Sequence, residues 1–355
     1  MKAYNKVSIT LKPTPLHRMS QMEKFVQGPP LFVKRDDLLG RILGGVKLRK
    51  LEYIIPRALS DNADILVTVG AVDSNHACLT AFFAKMFGLR AIIFLISKPG
   101  KRLHHNQREI ALNDVMTKKL GAELHFVEEI PDDTENQMHG NTGLVNEATE
   151  KQVRERMGIL WTQLQEKGHR PFYIPFGSCC PTGCYAMIEA FDELHAQMIS
   201  KGVDSYDIFI PVGTGATFAG LLAGVHKRQC DVRIYGISCA AHNPVCREMV
   251  VNATTELCND IGLSLPDLQQ LNVVDDFVGE RYGQPTEVSK EAIDVAFRIE
   301  GLLLDHTYTG KCFGGLLTLV REHKNEFRKP IVFWHTGGVP EGIGDILREF
   351  HNQGK

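Results

Sequence analysis

The chain places a lysine where two glycines open what reads as a helix, in the run Leu43-Gly44-Gly45-Val46-Lys47-Leu48-Arg49-Lys50-Leu51-Glu52-Tyr53. A lysine at the mouth of a glycine turn is ordinarily a solvated charge. Once deprotonated, its ε-amine is a nucleophile, and burial together with nearby positive charge favours that state. Arg49 and Lys50 supply such charge in sequence. A second candidate is Val212-Gly213-Thr214-Gly215-Ala216-Thr217-Phe218-Ala219-Gly220, which reads as strand end, tight turn and helix start. Small residues there let backbone N–H groups close around an anion at the positive end of the helix dipole, which suits one phosphate group. The Thr214 and Thr217 hydroxyls are further donors. The competing reading is a dinucleotide fingerprint, but Gly213 and Gly215 give only a partial Gly-x-Gly. The third glycine is missing from its place, and no companion acid follows on a later strand end.

Ser74-Asn75-His76 follows the apolar run Leu66-Val67-Thr68-Val69-Gly70 and opens a helix expected over Ala77 to Phe87. Ser74 is a natural N-cap there, and the same geometry offers free N–H groups to a carboxylate. Tyr282 and Tyr308 sit in Arg281-Tyr282-Gly283-Gln284-Pro285 and Asp305-His306-Thr307-Tyr308-Thr309-Gly310-Lys311. A buried tyrosine usually anchors a core edge with its hydroxyl satisfied. Cys179, Cys180 and Cys184 do not make a closed zinc set, since no histidine partner follows at finger spacing. They read as small residues packing at a helix start, and no metal site is expected.

Taken in order, the Gly-Gly-x-Lys-x-Arg-Lys-Leu-Glu run, Ser74-Asn75-His76, the Gly213 to Gly220 turn, Tyr308-Thr309-Gly310-Lys311 and His335-Thr336-Gly337-Gly338 resemble one set of enzymes. These are the pyridoxal-phosphate enzymes of the tryptophan synthase β fold, and more narrowly the branch containing D-cysteine desulfhydrase and 1-aminocyclopropane-1-carboxylate deaminase. The resemblance implies an α/β protein of fold type II, with two open twisted parallel-sheet domains. Residues 1–54 and 169–355 would form a large cofactor domain and 55–168 a small inserted α/β domain. It implies pyridoxal 5′-phosphate as cofactor, Lys47 as the residue that condenses with its aldehyde, and Asn75 against its ring. Gly213, Thr214, Gly215, Ala216 and Thr217 would hold the phosphate, and Thr309, Thr336 and Gly337 would complete the cofactor site. Catalytic roles fall to Lys47, Ser74, Tyr282 and Tyr308, and substrate contacts to Ser74, Asn75 and His76. The partners implied are a small amino acid and a second copy of the chain.

Within that family Thr309 stands where the cyclopropane-opening enzymes carry a glutamate. A neutral threonine, there or at Thr336, holds a proton on the pyridine nitrogen less well, and the weaker electron sink favours elimination of a good β leaving group. Other departures are Val46 for the usual asparagine, Asp73 for the usual glutamine and Ala77-Cys78-Leu79 for a more polar run. Gly177-Ser178-Cys179-Cys180-Pro181-Thr182-Gly183 stands for Gly-Gly-Ser-Asn-Pro-Leu-Gly.

The elements that must position these residues alternate. Apolar residues at Leu48, Leu51, Ile54, Ile55, Ala58 and Leu59 recur at helical spacing, and Pro56 is expected to kink or end that helix. Leu31 to Asp37 reads as a strand ending in charge. Strand-like runs at Ile65–Val69, Ala91–Ile96, Glu123–Val127, Phe172–Ile174, Ile208–Val212, Arg233–Ser238 and Ile331–Trp334 are separated by helix-length segments. That is the pattern of βα units around open, doubly wound parallel sheets. Binding is then expected beyond the carboxyl ends of the strands. The stretch Ile130 to Asn146 reads as a polar surface loop.

With 355 residues and 43% hydrophobic content, the chain can bury a large core. A net charge of −2 gives no footprint for nucleic acid or an anionic membrane, and no apolar run reaches membrane length. Nine cysteines without a repeated frame argue for a reducing compartment, so a cytoplasmic protein is expected. The reading that follows is a pyridoxal-phosphate lyase eliminating sulfide from D-cysteine. The alternatives are 1-aminocyclopropane-1-carboxylate deamination, a cofactor-binding protein with altered catalysis, and, more distantly, a nicotinamide enzyme.

Overall fold

Consecutive apolar residues make stable strands only where both faces of a sheet are covered, and the chain builds two sheets of this kind. The computed structural model describes residues 2–40, 44–97, 112–130, 145–280 and 282–353, with backbone alone over 348–353. Most of the expected polar loop, residues 131–144, lies outside them.

The larger sheet runs, edge to edge, Leu16–Arg18 (β1), Leu31–Arg35 (β2), Ile331–His335 (β10), Tyr206–Val212 (β7), Val232–Ser238 (β8) and Asn272–Val274 (β9). Only β1 is antiparallel to its neighbour. The smaller sheet, wholly parallel, runs Glu123–Glu128 (β5), Arg90–Ser97 (β4), Ile65–Ala71 (β3) and Pro171–Ile174 (β6). Its strands thus extend past residue 168, the expected limit of the small domain.

Strand alternation sends each sheet's apolar residues to two sets of helices. In the larger sheet Ile208, Ile210, Val332 and Trp334 pack under Pro181–Ile199 (α6), Ala216–Arg228 (α7) and Val245–Ile261 (α8). Phe209, Ile331 and Phe333 face Ser20–Val26 (α1), Glu287–Glu300 (α9) and Thr309–Glu322 (α10). In the smaller sheet Leu66, Ile93 and Leu95 meet Val46–Ser60 (α2) and Asn75–Met86 (α3), while Val67, Phe94 and Ile96 meet Glu147–Glu166 (α5). Leu112–Lys119 (α4) and Val339–Gln353 (α11) complete the helices used below. No helix among the described residues is long and apolar enough to cross a membrane.

Helix α2 continues through Pro56 to Ser60 and does not end there, where a kink or an end was expected. Proline cannot donate to the carbonyl four residues back, that of Glu52. The N–H of Val7 takes its place at 2.9 Å. The Glu52 carboxylate then accepts from Ile9 N, Thr10 N and Thr10 Oγ1, at 2.9, 2.8 and 2.7 Å, and pairs with Lys12. The N-terminal segment therefore repairs the helix that its own proline would have broken.

One buried network ties α2 to the larger sheet. The Asp36 carboxylate, at the end of β2, accepts from Arg49 Nε and Nη2 at 2.8 and 2.7 Å, from Thr14 Oγ1 at 2.8 Å and from Trp334 Nε1 at 2.9 Å. Glu193 of α6 accepts from Arg49 at 2.9 and 3.0 Å and from the fully buried Lys34 at 2.5 Å. Burial would raise the Glu193 carboxyl, but Arg49 and Lys34 outweigh it and bring it down to about 2. Removing one partner of such a network strands the other charge in a dry interior. Asp36→Ala should therefore lower unfolding stability in urea by about 3–5 kcal/mol. A depressed carboxyl contributes stability above its unfolded pKa and loses it as pH falls through the folded value. Wild-type stability should drop between about pH 4.5 and 2, by about 3 kcal/mol at most, and Glu193→Gln should flatten that limb of an acid titration followed by circular dichroism.

Candidate active site

Parallel sheets leave a crevice beyond their carboxyl ends, and the residues with chemical potential collect there. Ser74 follows β3, Ser178 follows β6, Gly213 to Thr217 follow β7, Cys239 follows β8, and Thr336 and Gly337 follow β10. Lys47 stands in the first turn of α2 and Tyr308 at the start of α10.

Two glycine turns set the root of Lys47. Gly45 and Gly337 have φ of +106° and +119°, and a Cβ on Gly337 would lie 2.9 Å from Gly45 Cα, so neither position accepts a side chain. Gly45 N donates to Asp36 O at 2.8 Å and Val46 N to Thr336 O at 3.0 Å, which pins the turn to both strands. From there the Lys47 ammonium reaches to 5.4 Å from the centroid of the Tyr308 ring. Burial, and next the charge of Lys50, bring Lys47 down to about 7 against the opposing pull of Asp305. A large fraction of it is free amine at neutral pH, as a nucleophile or general base requires.

Tyr308 and Tyr282 share a hydrogen bond of 2.7 Å between their hydroxyls, with ring planes 64° apart. Burial pushes both phenols up, so both keep their protons at neutral pH. One of the two protons lies in the shared bond and the other remains available for donation. Tyr308 also packs on the Gly213 to Thr217 turn, where a Cβ on Gly213 would stand 3.1 Å from its ring.

Ser74 caps α3 as expected, accepting from Ala77 N at 3.2 Å, although the helix begins at Asn75. Asn75 Oδ1 accepts from Asn113 Nδ2 of α4 at 3.0 Å, which orients its amide and leaves the NH2 to donate. His76 requires a correction. It is buried, with Nε2 2.9 Å from Thr68 Oγ1 and Nδ1 3.3 Å from Ser178 Oγ, so neither ring nitrogen is left for a substrate. The single proton of Thr68 goes to Ile174 O at 2.7 Å, so Nε2 carries the proton between them. Burial, followed by Lys47 and Lys50, lowers His76 to about 3 and keeps it neutral. It is a link between β3 and the Ser178 turn.

Between β7 and α7 the chain has the strand, tight turn and helix start that its sequence implied. Gly215 takes φ +78°, where a Cβ would lie 3.0 Å from Met249 O, and α7 starts at Ala216 with its first N–H groups unspent. Beside the Gly177 carbonyl lies Lys50, which sequence reasoning did not place in the site. It is buried, 3.4 Å from Gly177 O, with no carboxylate in ion-pair range among the described residues. Its spacing of three from Lys47 puts both on one helix face, and that signal could have found it.

Asp305 was also missed. Fully buried, it accepts from Tyr308 N at 2.6 Å, Thr309 N at 3.2 Å and Thr309 Oγ1 at 2.6 Å, and burial raises its carboxyl. Thr309 Oγ1 in turn accepts from Asp305 N at 2.9 Å. The Thr309 proton is therefore committed to Asp305, whereas the Thr336 hydroxyl has no partner among the described residues. Of the two threonines expected near a ring nitrogen, Thr336 is the one with a proton to give.

These residues fit pyridoxal phosphate: a half-buried amine, a glycine turn at a helix start, a buried lysine with no acid in ion-pair range among the described residues, and an anchored amide. The profile of the pyridoxal-phosphate dependent enzyme family matches residues 7–337. A Pyrococcus furiosus protein, provisionally named 1-aminocyclopropane-1-carboxylate deaminase, is 33% identical over 328 residues, covering 92% of this chain and 89% of its own. D-cysteine desulfhydrase of Yersinia enterocolitica is 31% identical over 327 residues, covering 92% of each. The crystal structure of a homologue of 1-aminocyclopropane-1-carboxylate deaminase superposes with a TM-score of 0.80 at 29% identity, over 98% of this chain and 96% of that one. Fold, site and similarity agree that this chain belongs to the pyridoxal-phosphate dependent enzymes of fold type II.

Proposed function

We propose that the chain is a lyase that carries out α,β-elimination on a small amino acid, with D-cysteine as substrate and pyruvate, ammonia and hydrogen sulfide as products. The observation that carries this reading is the pair of uncharged threonines, Thr309 and Thr336, where ring opening would call for a carboxylate. When bound, the cofactor supplies an electron sink for the pair released as the Cα–H bond breaks. Lys47, free amine at neutral pH, accepts that proton. Ser74 and the first N–H groups of α3 hold the substrate carboxylate at the positive end of the helix dipole. The Tyr282–Tyr308 pair delivers a proton to the sulfur as the Cβ–S bond breaks, and the released enamine takes up water to give pyruvate and ammonia. Lys50 and the Gly213 to Thr217 turn hold the cofactor phosphate.

The Pyrococcus furiosus relative favours a second reading, opening of 1-aminocyclopropane-1-carboxylate to 2-oxobutyrate and ammonia. Nine cysteines free of disulfides support a reducing compartment such as the cytoplasm, and the family resemblance supports a homodimer.

Offered D-cysteine, the protein loaded with pyridoxal phosphate should release sulfide and pyruvate while its visible band shifts. Lys47→Ala should abolish both, and near-normal turnover in that variant would sink the assignment. A product of 2-oxobutyrate from the cyclopropane acid, without sulfide from D-cysteine, would favour the second reading; a band that shifts with neither product would leave a binding protein. Lys50→Met removes a charge-assisted contact of about 1.5–3 kcal/mol, so spectroscopic titration should show pyridoxal phosphate binding about ten- to a hundredfold weaker.

A further inference from the structure

Asn113 of α4 belongs to no motif read from the sequence, yet its side chain holds the loop that carries Ser74 and Asn75. It is buried, and its Nδ2 donates at 3.0 Å to the carbonyl of Asp73 and at 3.0 Å to Asn75 Oδ1. Beside it Asp114 Oδ1 accepts from Asp73 N at 2.9 Å, so α4 grips the Asp73 backbone at both its N–H and its carbonyl. Asp73 needs that grip. At φ +75° it lies in the left-handed region, which a side chain occupies only where the surroundings over-determine it.

A side-chain amide has two branches of similar shape and opposite polarity, and its partners alone decide which way round it stands. A backbone carbonyl can only accept. The carbonyl of Asp73 therefore fixes the Asn113 amide with its nitrogen toward the loop, and the second hydrogen on that nitrogen must also meet an acceptor. That acceptor is Oδ1 of Asn75, which puts the Asn75 NH2 on the branch turned away from Asn113. A nitrogen in its place would set two donors against each other. We propose that Asn113 is a positioning residue that fixes which way round Asn75 stands, so that the amide presents its donors and not its oxygen to the cofactor ring. The inference rests on the reading of Asn75 as a contact of that ring, whose phenolic oxygen is an acceptor for such donors.

Asn113→Asp keeps the shape of the side chain and reverses its demand. Ionised, the carboxyl brings no hydrogen to the loop; protonated, it brings one for two acceptors. The Asp73 carbonyl belongs to a backbone still held by Asp114, whereas the Asn75 amide needs only to turn over about its own side-chain bond. Asn75 should then stand reversed, with its oxygen toward the ring. Asn113→Ala only releases the Asn75 amide, so its effect should be smaller.

The test is a double-mutant cycle on cofactor binding, followed through the visible band with no amino acid present. Asn113→Asp should bind pyridoxal phosphate at least about tenfold more weakly than wild type, with Asn113→Ala between the two. In the Asn75→Ala background the same changes should weaken binding no more than about twofold, since no amide is left to misplace. A donor on the phenolic oxygen favours its charged form. The pH midpoint of the visible band should therefore rise in Asn113→Asp and in Asn75→Ala, and rise no further when both are present. Wild-type affinity and midpoint in Asn113→Asp, with both altered in Asn75→Ala, overturn the inference alone. So does an equal loss in both backgrounds, the mark of a loop merely loosened at Asp73. If Asn113→Asp does not fold, the cycle with Asn113→Ala puts the same two outcomes to the test. Wild-type behaviour of Asn75→Ala overturns the reading of Asn75 as a ring contact and takes the inference with it. A cycle that couples, in a protein that releases no sulfide from D-cysteine, supports the inference and overturns the lyase reading instead.

Discussion

A carboxylate and a guanidinium placed together in a protein interior gain from their attraction only if every remaining donor and acceptor is met, because each has given up its water. Asp36 and Arg49 meet that condition. Both carboxylate oxygens accept twice, from Arg49, Thr14 and Trp334, and the guanidinium spends its other donors on Glu193 and Thr14. Lysine could not replace Arg49, since the contact is a planar fork gripping two oxygens. The pair matters for function because of where its ends are rooted. Asp36 terminates β2, Trp334 lies on β10, and Arg49 is two residues along α2 from Lys47, so one charge network fixes the helix start against two strands. The backbone carbonyl of Asp36 holds Gly45 as well. The direction of Lys47 is in this sense a property of the larger sheet.

Around that fixed lysine the charges are unevenly matched. Lys47 and Lys50 share a helix face, while the nearby acid, Asp305, is largely engaged by backbone N–H groups and by Thr309. The surplus of positive charge makes Lys47 a weaker base and leaves Lys50 in want of an anion. Desolvation acts in the same direction on both lysines. Under the proposed reading of Lys50 and the Gly213 to Thr217 turn as the phosphate site, a bound phosphate would relieve the second imbalance more than the first and leave the amine of Lys47 neutral.

The sequence showed the parts of this plan that depend on local pattern. Buried parallel strands carry continuous apolar runs, and the seven runs expected beyond Asp64 appear within two residues of where they were expected. Ser74 was readable because an N-cap is a local hydrogen bond. What stayed hidden depends on partners distant in sequence. Pro56 looked like a helix break because Val7, which supplies the missing N–H, lies far away along the chain. His76 looked like a substrate contact because nothing in its neighbourhood reveals that Thr68 and Ser178 occupy its two nitrogens. Strands β1 and β9, three residues each, are too short to show a period. Asp305 was quoted only as part of a motif, and its role emerges when α10 folds back to give it three donors.

The departures from the family pattern are absorbed by the structure in different ways. Val46 is fully buried and joins the core beneath the larger sheet with Phe32 and Trp334, so the position serves packing as well as the turn. Asp73 has φ +75°, a conformation that aspartate and asparagine tolerate better than most side chains, and its N–H is held by Asp114 at 2.9 Å. The residue fits the backbone it must adopt before Ser74, but it puts a carboxyl group close to the place proposed to receive the substrate carboxylate. Glu341, half-buried and bonded to Thr307, stands near enough for Asp73 to help raise its carboxyl, after desolvation and Asp305. A protonated Glu341 would spare the substrate carboxylate one repulsion at that wall, leaving Asp73 as the charge that distinguishes this pocket from one with a glutamine there. Substrate preference among small amino acids should therefore be set at the Asp73 side of the crevice, while the Lys47 side, held by Asp36 and two glycines, has little room to vary.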